Sequence, residues 1–400
     1  MPPTVGLSAV NFFLADVNDG LGPFLATWLA EAAHWDPARI GLVMTIAGIA
    51  GLVCNGPAGG LVDRLDRPRL LLALAGLAVV TGTLALLVAS GFAAVLASQV
   101  VVAVGGAVMG PALVALTLGL VGKAEFPTWQ GRIQAWNHAG NVAAALLVVG
   151  ATFVLGPAAA FWVLAGMAAG SFGALSLIPS EAVKPARAER HDAAQPAASL
   201  RSVLTDRRVV ALGVALLAFH LGNAAMLPLL GQRMAAIGEG NPTRWMAACV
   251  IVAQLTMVPV ALVAGRMAGR VDRAWLLVAA CAVLPVRGVL AALATNPAWL
   301  LPVQILDACG AGTLGVAVPL LVADYTWGSG RTQTALGAVA TAQGIGASLS
   351  ATVGGLLATW FGWGAAFLGL TVPAALALAL ALRLAGQAPR LKAASIKARV

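Results

Sequence analysis

Long apolar runs, broken by short polar turns, recur along the whole chain. Twelve can be separated, over roughly 6–31, 38–60, 69–90, 92–121, 128–155, 157–179, 208–235, 243–266, 274–295, 297–325, 332–359 and 362–386. Each is long enough to cross a hydrocarbon core of about 30 Å, which takes about 20 helical residues. None alternates with period two, so they read as helices and not as barrel strands. Helices also satisfy every backbone amide and carbonyl internally, as a water-free core demands. The most polar stretch, 181–207, separates six runs from six. The pattern predicts an all-α integral membrane protein of twelve transmembrane helices in two pseudo-symmetric six-helix bundles. The first bundle covers 1–180 and the second 208–387, with a linker over 181–207 and a tail over 388–400.

The two halves are related in sequence. Residues 59–71 form a charged turn after span two, and 265–277 repeat it after span eight at an offset of 206. Gly59, Arg64, Asp66 and Arg67 match Gly265, Arg270, Asp272 and Arg273. Gly131, Asn137, Gly140, Gly156 and Phe161 match Gly337, Gln343, Gly346, Gly362 and Phe367 at the same offset. With a one-residue slip, Asn18 and Pro23 match Asn223 and Pro228. Such self-similarity in so apolar a chain points to a duplicated membrane bundle.

Composition agrees. Hydrophobic residues make up 60%, charged residues 10%, and the mean hydropathy is +0.91, against about 25% charged in a soluble domain. A net charge of +9 would suggest nucleic acid in a soluble protein. Here the basic residues gather in alternate loops: Arg64, Arg67 and Arg69, the central linker, Arg266 to Arg273, and the tail. That bias predicts a multi-pass protein of the cell inner membrane with both termini cytoplasmic, and no nucleic-acid partner. The four cysteines fall within apolar runs without metal-site spacing. Asp16, Asn18 and Asp19 in the first run mark it as a retained helix, not a cleaved leader.

The twelve spans in two halves, the basic central loop and the paired charged turns resemble the major facilitator superfamily. The turn at 59–71 is similar to that family's signature loop, Gly-x-Leu-Ala-Asp-Arg-x-Gly-Arg-Lys, matching it at Gly59, Leu61, Asp63, Arg64 and Arg67. Asp66 stands where the family has Gly and Pro68 where it has a basic residue; in the second copy Gly269 replaces the central acid. The resemblance implies a conformational latch on the cytoplasmic side formed by Gly59, Asp63, Arg64 and Arg67, with Arg270, Asp272 and Arg273 in the second copy. It also implies that spans one, four, seven and ten line a central cavity, with five and eleven contributing. Proton-coupled members often carry an Arg in span four before a glycine pair. Before Gly105 and Gly106 this chain has Val101, Val102 and Val104, and Val101 corresponds to Asp307 in the repeat.

Ionisable groups inside a membrane mark function by default. Asp16 and Asp19, spaced i, i+3, share one face of span one. Two carboxylates that close in a low dielectric disfavour simultaneous ionisation, so the pair is expected to share about one proton near neutral pH. Gly20, Gly22 and Pro23 weaken the helix just beyond them, as in the broken helices of transporters. Asn18, Asn137, His138, Asn141, His220, Asn223, Asp307 and Gln343 complete the expected substrate and proton site. For His138 and His220, a hydrogen-bonded packing role stands equally beside the ligand role. Arg287 is expected to form a structural ion pair with Asp307.

The function expected is a proton-coupled secondary active transporter, working by alternating access on a small organic solute. Its partners are that solute, protons and the lipid bilayer; it needs no cofactor and is expected to be a monomer. Export is favoured, because a cavity rich in Ala, Val and Leu suits amphiphilic or cationic compounds. The alternative is export of a divalent metal or metal chelate through Asp16, Asp19 and His220. A non-transporting receptor is a third reading, against which stands the lack of a sizeable soluble region. No Walker motif and no nucleophile with an adjacent base is present, so an enzyme is not expected.

Overall fold

The computed structural model describes residues 3–18, 20–65, 67–183, 205–238, 240–326 and 332–387. Asp19, Asp66, most of the linker and the tail lie outside the described residues, as does the side chain of Asp63. The described residues are helical, without strand. In chain order the helices are α1 (Pro3–Val17), α2 (Pro23–Glu31), α3 (Pro37–Leu65), α4 (Pro68–Leu84), α5 (Phe92–Leu155) and α6 (Ala159–Ser176), followed after the linker by α7 (Arg207–Asn223), α8 (Met226–Ile237), α9 (Pro242–Met267), α10 (Arg273–Leu293), α11 (Leu300–Tyr325) and α12 (Thr332–Gln387). Nine segments among the described residues are long and apolar enough to cross a membrane, and two of them run to 45 and 53 residues. At about 1.5 Å per residue such lengths exceed one crossing. α5 turns at Gly122 (φ 71°) and α12 at Gly362 (φ 82°).

Local chemistry sets the helix ends. Pro23, Pro37, Pro68 and Pro242 each occupy a first helical position, where a missing amide proton costs nothing. Asp206 Oδ1 accepts from the amides of Arg208 at 2.8 Å and Val209 at 3.3 Å, and Asn241 Oδ1 accepts from Arg244 N at 2.9 Å. These side chains fill orphan donors at the starts of α7 and α9.

The first span is broken, as its glycines suggest. α1 stops at Val17, Gly20 and Gly22 take positive φ (59° and 49°), and Pro23 starts α2. The related break between α7 and α8 leaves the Ala225 amide to donate to Ser350 Oγ at 3.0 Å. The repeat pairs seen in sequence occupy matching places. Gly156 (φ 57°) and Gly362 make the tight turns, and Phe161 and Phe367 beyond them are fully buried. A Cβ on Gly140 would lie 1.9 Å from Phe12 O, and one on Gly346 would lie 2.2 Å from Leu217 O. Both glycines therefore let a helix cross at backbone contact, which is how spans associate where lipid is as apolar as leucine.

Packing forms three apolar clusters. One draws on Leu7 to Ile178, a second on Val209 to Ala385, and a third joins the halves through Leu25, Leu29, Val43, Met246 and Ala247. The joining contacts lie toward one end of the molecule. Thr45 Oγ1 on α3 and Thr352 Oγ1 on α12 are 2.7 Å apart, Thr359 Oγ1 accepts from Ala38 N at 3.0 Å, and a Cβ on Gly355 would meet Pro37 O at 2.3 Å. On the opposite flank, Arg244 Nε donates to Thr152 Oγ1 at 2.7 Å and its guanidinium lies 3.7 Å from the Phe153 ring centroid. Near the charged turn, Cβ atoms built on Gly56, Gly59 and Gly60 of α3, or Gly337 of α12, would meet nothing within 4 Å. The end away from the charged turns is thus closed by contacts between α3 and α12.

Candidate functional site

A cavity of about 460 Å³ lies between α1, α5, α9 and α11. Six carboxamides reach it: Asn11, Asn18, Asn137, Asn141, Gln254 and Gln304. Asp307 is the one charged residue among its described lining, and Leu14, Met109, Leu113, Val250 and Met257 supply apolar wall. A second cavity of about 450 Å³, between α3, α5 and α12, shares Asn18 and adds Asn55 and Gln99. Asn18 follows the last residue of α1, so the break in the first span places an amide where both cavities meet.

Asp307 is held by a closed set of partners. Arg287 Nη1 lies 3.0 Å from its Oδ1, Asn223 Nδ2 donates to the same oxygen at 3.0 Å, and Gln304 Nε2 donates to Oδ2 at 2.8 Å. Arg287 Nη1 also donates to Asn223 Oδ1. Gln304 precedes Asp307 by three residues and so shares its face of α11. Arg287 is 1% exposed, while the Asp307 side chain keeps 19% of its surface, on the cavity. Arg287 Nε and Nη2 are buried without a hydrogen-bond partner. The expected ion pair is therefore present, with an amide from the α7–α8 break wedged between its members. Arg287, buried behind the lining, compensates the one charge that borders the cavity.

Other expected residues divide. Asn141 Nδ2 donates to Asn137 Oδ1 at 3.3 Å, one turn apart on α5. His138 Nδ1 meets Gln254 Oε1 at 2.6 Å, bridging α5 and α9 across the two halves. His220 instead bonds within its own helix, Nδ1 to Leu216 O at 2.9 Å, and packs edge-on against Phe219. Neither His220 nor Gln343 lines either cavity, and half-buried Asp16 lines neither. Because Asp19 lies outside the described residues, the acid pair of span one has no observed geometry. Among the described residues no group of three or more His, Cys, Asp or Glu comes together to hold a metal, so the metal alternative gains no support.

The two charged turns differ. Arg64 and Arg67 are exposed, and an added Cβ on Gly59 meets open space. In the second turn Asp272 Oδ1 caps α10 by accepting from Ala274 N at 2.9 Å, Arg273 pairs with Asp324, and Arg270 is exposed. Both partners of the Arg273 pair belong to the second half.

Asn11 and Gln254 were not among the expected site residues. Asn11 is 1% exposed; its Nδ2 donates to Leu7 O at 2.8 Å and its Oδ1 has no partner. The signal for it was present: Asn11 and Asn18 lie seven residues apart, two turns along one face. Gln254 had no comparable signal, being a lone amide in an apolar span.

A polytopic helical protein with a buried polar cavity between its halves is the class these features define. The Major Facilitator Superfamily sequence profile matches residues 7–326 and 243–399. The chain belongs to the major facilitator superfamily. It is 42% identical over 377 residues to an uncharacterized MFS-type transporter of Mycobacterium tuberculosis, found in strains CDC 1551 / Oshkosh and H37Rv, covering 92% of this chain and 90% of that one. Among solved structures, the nucleoside transporter NupG superposes with a TM-score of 0.79 at 13% identity, covering 96% of this chain and 99% of that one. A POT family transporter in complex with a thioalcohol-conjugated peptide gives 0.76 at 11% identity, covering 96% of each chain. At such identities these two likenesses speak for the fold alone. The chain is a membrane transporter and not an enzyme.

Proposed function

We propose that this protein is a secondary transporter that carries a small, uncharged, hydrogen-bonding solute by alternating access, coupled to protons. The observation that carries the reading is the central cavity, where six amides surround one charge-compensated carboxylate. Amides offer both donors and acceptors, and a neutralised Asp307 leaves no net attraction for a cation or an anion. A solute with several hydroxyl or amide groups fits that set. The cavity mixes this amide set with apolar wall, which favours neither import nor export, and no direction is proposed.

In this reading the fold is twelve spans in two six-helix bundles, over 1–180 and 208–387. Nine apolar segments, two of them long enough to pass twice, with the broken α1–α2 pair as a further pass, make that number. The end that carries the basic turns faces the cytoplasm. The latch around Asp63, Arg64 and Arg67 would close when the halves rock together at that end. Asp307 and the Asp16–Asp19 pair carry the coupling proton, and the working unit is a monomer in the inner membrane.

The test is uptake by proteoliposomes under an imposed proton gradient, with a library of nucleosides, sugars, polyols and small amides set beside organic cations and anions. Accumulation of an uncharged member, lost in the Asp307→Asn variant while exchange down its own gradient persists, is the expected result. Accumulation of cations alone would overturn the substrate reading. Full accumulation by both Asp307→Asn and the Asp16→Asn, Asp19→Asn double variant would overturn proton coupling through these acids.

A further inference from the structure

A groove of about 580 Å³ runs between the N-terminal end of α4 and the C-terminal end of α6, on the outer side of the first half and away from the central cavity. We propose that it is a binding site for an anionic phospholipid, with the phosphate headgroup held by Arg67 and Arg69. Arg69 is already fixed in place: its Nη2 donates to Leu175 O at 3.1 Å across the groove, while its Nε is buried without a partner. A guanidinium pinned at one nitrogen beside the groove is pre-ordered for an anion, and its fork suits phosphate oxygens. Arg67 lines the same groove and is exposed. It is also the N-cap of the 17-residue helix α4, and no side chain caps that end, so the first amides of α4 point their dipole the same way. Asp66, outside the described residues, and Glu181 are the acids nearest in sequence to the lining residues. Glu181 is exposed and accepts from Ser180 Oγ at 3.5 Å, so the described side chains leave the cationic pair in excess.

The rest of the groove points to a lipid and not to a soluble anion. Leu70, Ala73 and Phe172 line it below the arginines. From Leu70 an apolar stripe continues down α4 through Leu74 and Leu77, exposed by 48%, 54% and 50%, at helical spacing. Headgroup donors at the mouth and an unbroken apolar track toward mid-membrane match a molecule with an anionic head and an acyl tail. The groove sits beside the charged turn, so occupancy would tie the position of that turn to the lipids around it.

The experiment is native mass spectrometry of the full-length protein in detergent, titrated with phosphatidylglycerol or phosphatidylcholine of matched chains. Phosphatidylglycerol is expected to bind the wild type more tightly than phosphatidylcholine. Each basic side chain at an anionic surface contributes about fivefold. The Arg67→Gln, Arg69→Gln double variant should therefore bind phosphatidylglycerol about 25-fold more weakly, with phosphatidylcholine unchanged. Arg64→Gln, in the same turn but outside the groove, should bind phosphatidylglycerol as tightly as the wild type. If the double variant fails to fold, Arg67→Gln alone serves, because that side chain is exposed; about a fivefold loss is expected. Equal binding of the two lipids, or no loss in Arg67→Gln, would overturn the proposal. Displacement of phosphatidylglycerol by equimolar inorganic phosphate would also overturn it, by making this a soluble-anion site.

Discussion

Replacing Asp307 by Asn removes a charge while keeping the shape of the group, and the surroundings of Arg287 set the consequence. Its guanidinium is 1% exposed, and its ionic partner is Asp307 at 3.0 Å. Nε and Nη2 already lack hydrogen-bond partners, so no second acceptor stands ready among the described residues to take over the charge. Leaving one member of a buried pair uncompensated costs about 3–5 kcal/mol. Asp307 borders the cavity with 19% of its side-chain surface exposed, so the lower end of that range, about 3 kcal/mol, applies. In a cooperative unit of 150–250 residues each kcal/mol moves the melting midpoint about 2–4 °C, so Asp307→Asn should lose roughly 6–12 °C. Arg287→Met leaves Asp307 with two amide donors and access to the cavity, and should lose less. The double variant Arg287→Met, Asp307→Leu should recover most of the loss, because an apolar pair of similar volume replaces a buried ion pair at little net cost. Thermal unfolding of the purified protein in detergent, followed by tryptophan fluorescence, measures all three. A loss under about 2 °C in Asp307→Asn, or a double variant as damaged as Asp307→Asn and Arg287→Met added together, would refute the pairing argument.

Gly140→Leu should abolish folding, since even its Cβ would sit 1.9 Å from the Phe12 carbonyl oxygen; a monodisperse size-exclusion peak at wild-type height would contradict that crossing. Gly41→Val places a Cβ 2.1 Å from Ala351 O across the closed end. It should push the halves apart there, raising thiol labelling of Thr45→Cys from that side; unchanged labelling would show that the contact is not a gate. Asp63→Asn should shift the balance of inward- and outward-open states and with it the apparent substrate affinity. Wild-type transport with unchanged accessibility at the charged end would reduce Asp63 to an ordinary loop charge.

The sequence made the membrane spans legible because the bilayer imposes a length and a polarity that few other structures share. The duplication was legible for a sharper reason. Gly140 and Gly346 are held by backbone contact, and Gly156 and Gly362 by positive φ, so no other residue serves there and the pattern survives in both halves. The broken first span could be read from Gly20, Gly22 and Pro23. The break between α7 and α8, at Ala224 and Ala225, is flagged only by Gly222 before it and by Pro228, the match of Pro23, and it depends on Ser350 to satisfy the freed amide. The ion pair between Arg287 and Asp307 followed from depth alone, since two opposite charges in neighbouring spans have nowhere better to go. The site was harder. His220 and Asp307 look equally suited to a cavity in sequence, but helix rotation, set by packing, turns the histidine back on Leu216. Gln254 became part of the site only because His138 faces it from the other half.

Charge compensation at Asp307 bears directly on how coupling would work. A lone cavity acid could gain and lose its proton with little effect on the helices around it. Here the carboxylate joins α10 through Arg287, the α7–α8 break through Asn223, and its own helix through Gln304. Protonation under the proposed coupling would weaken the hold on Arg287, whose remaining protein partner is the Asn223 oxygen. Asn223 ends α7, one of the two broken helices, and α8 beyond it packs against α2 at the closed end. Under the proposed coupling, a change of charge in the cavity would reach the contact between the halves through groups already bonded to one another. A ligand shifts a two-state equilibrium only through contacts that differ between the states, and the Asn223 amide, held by both members of the ion pair at the break, is placed to supply that difference for a proton.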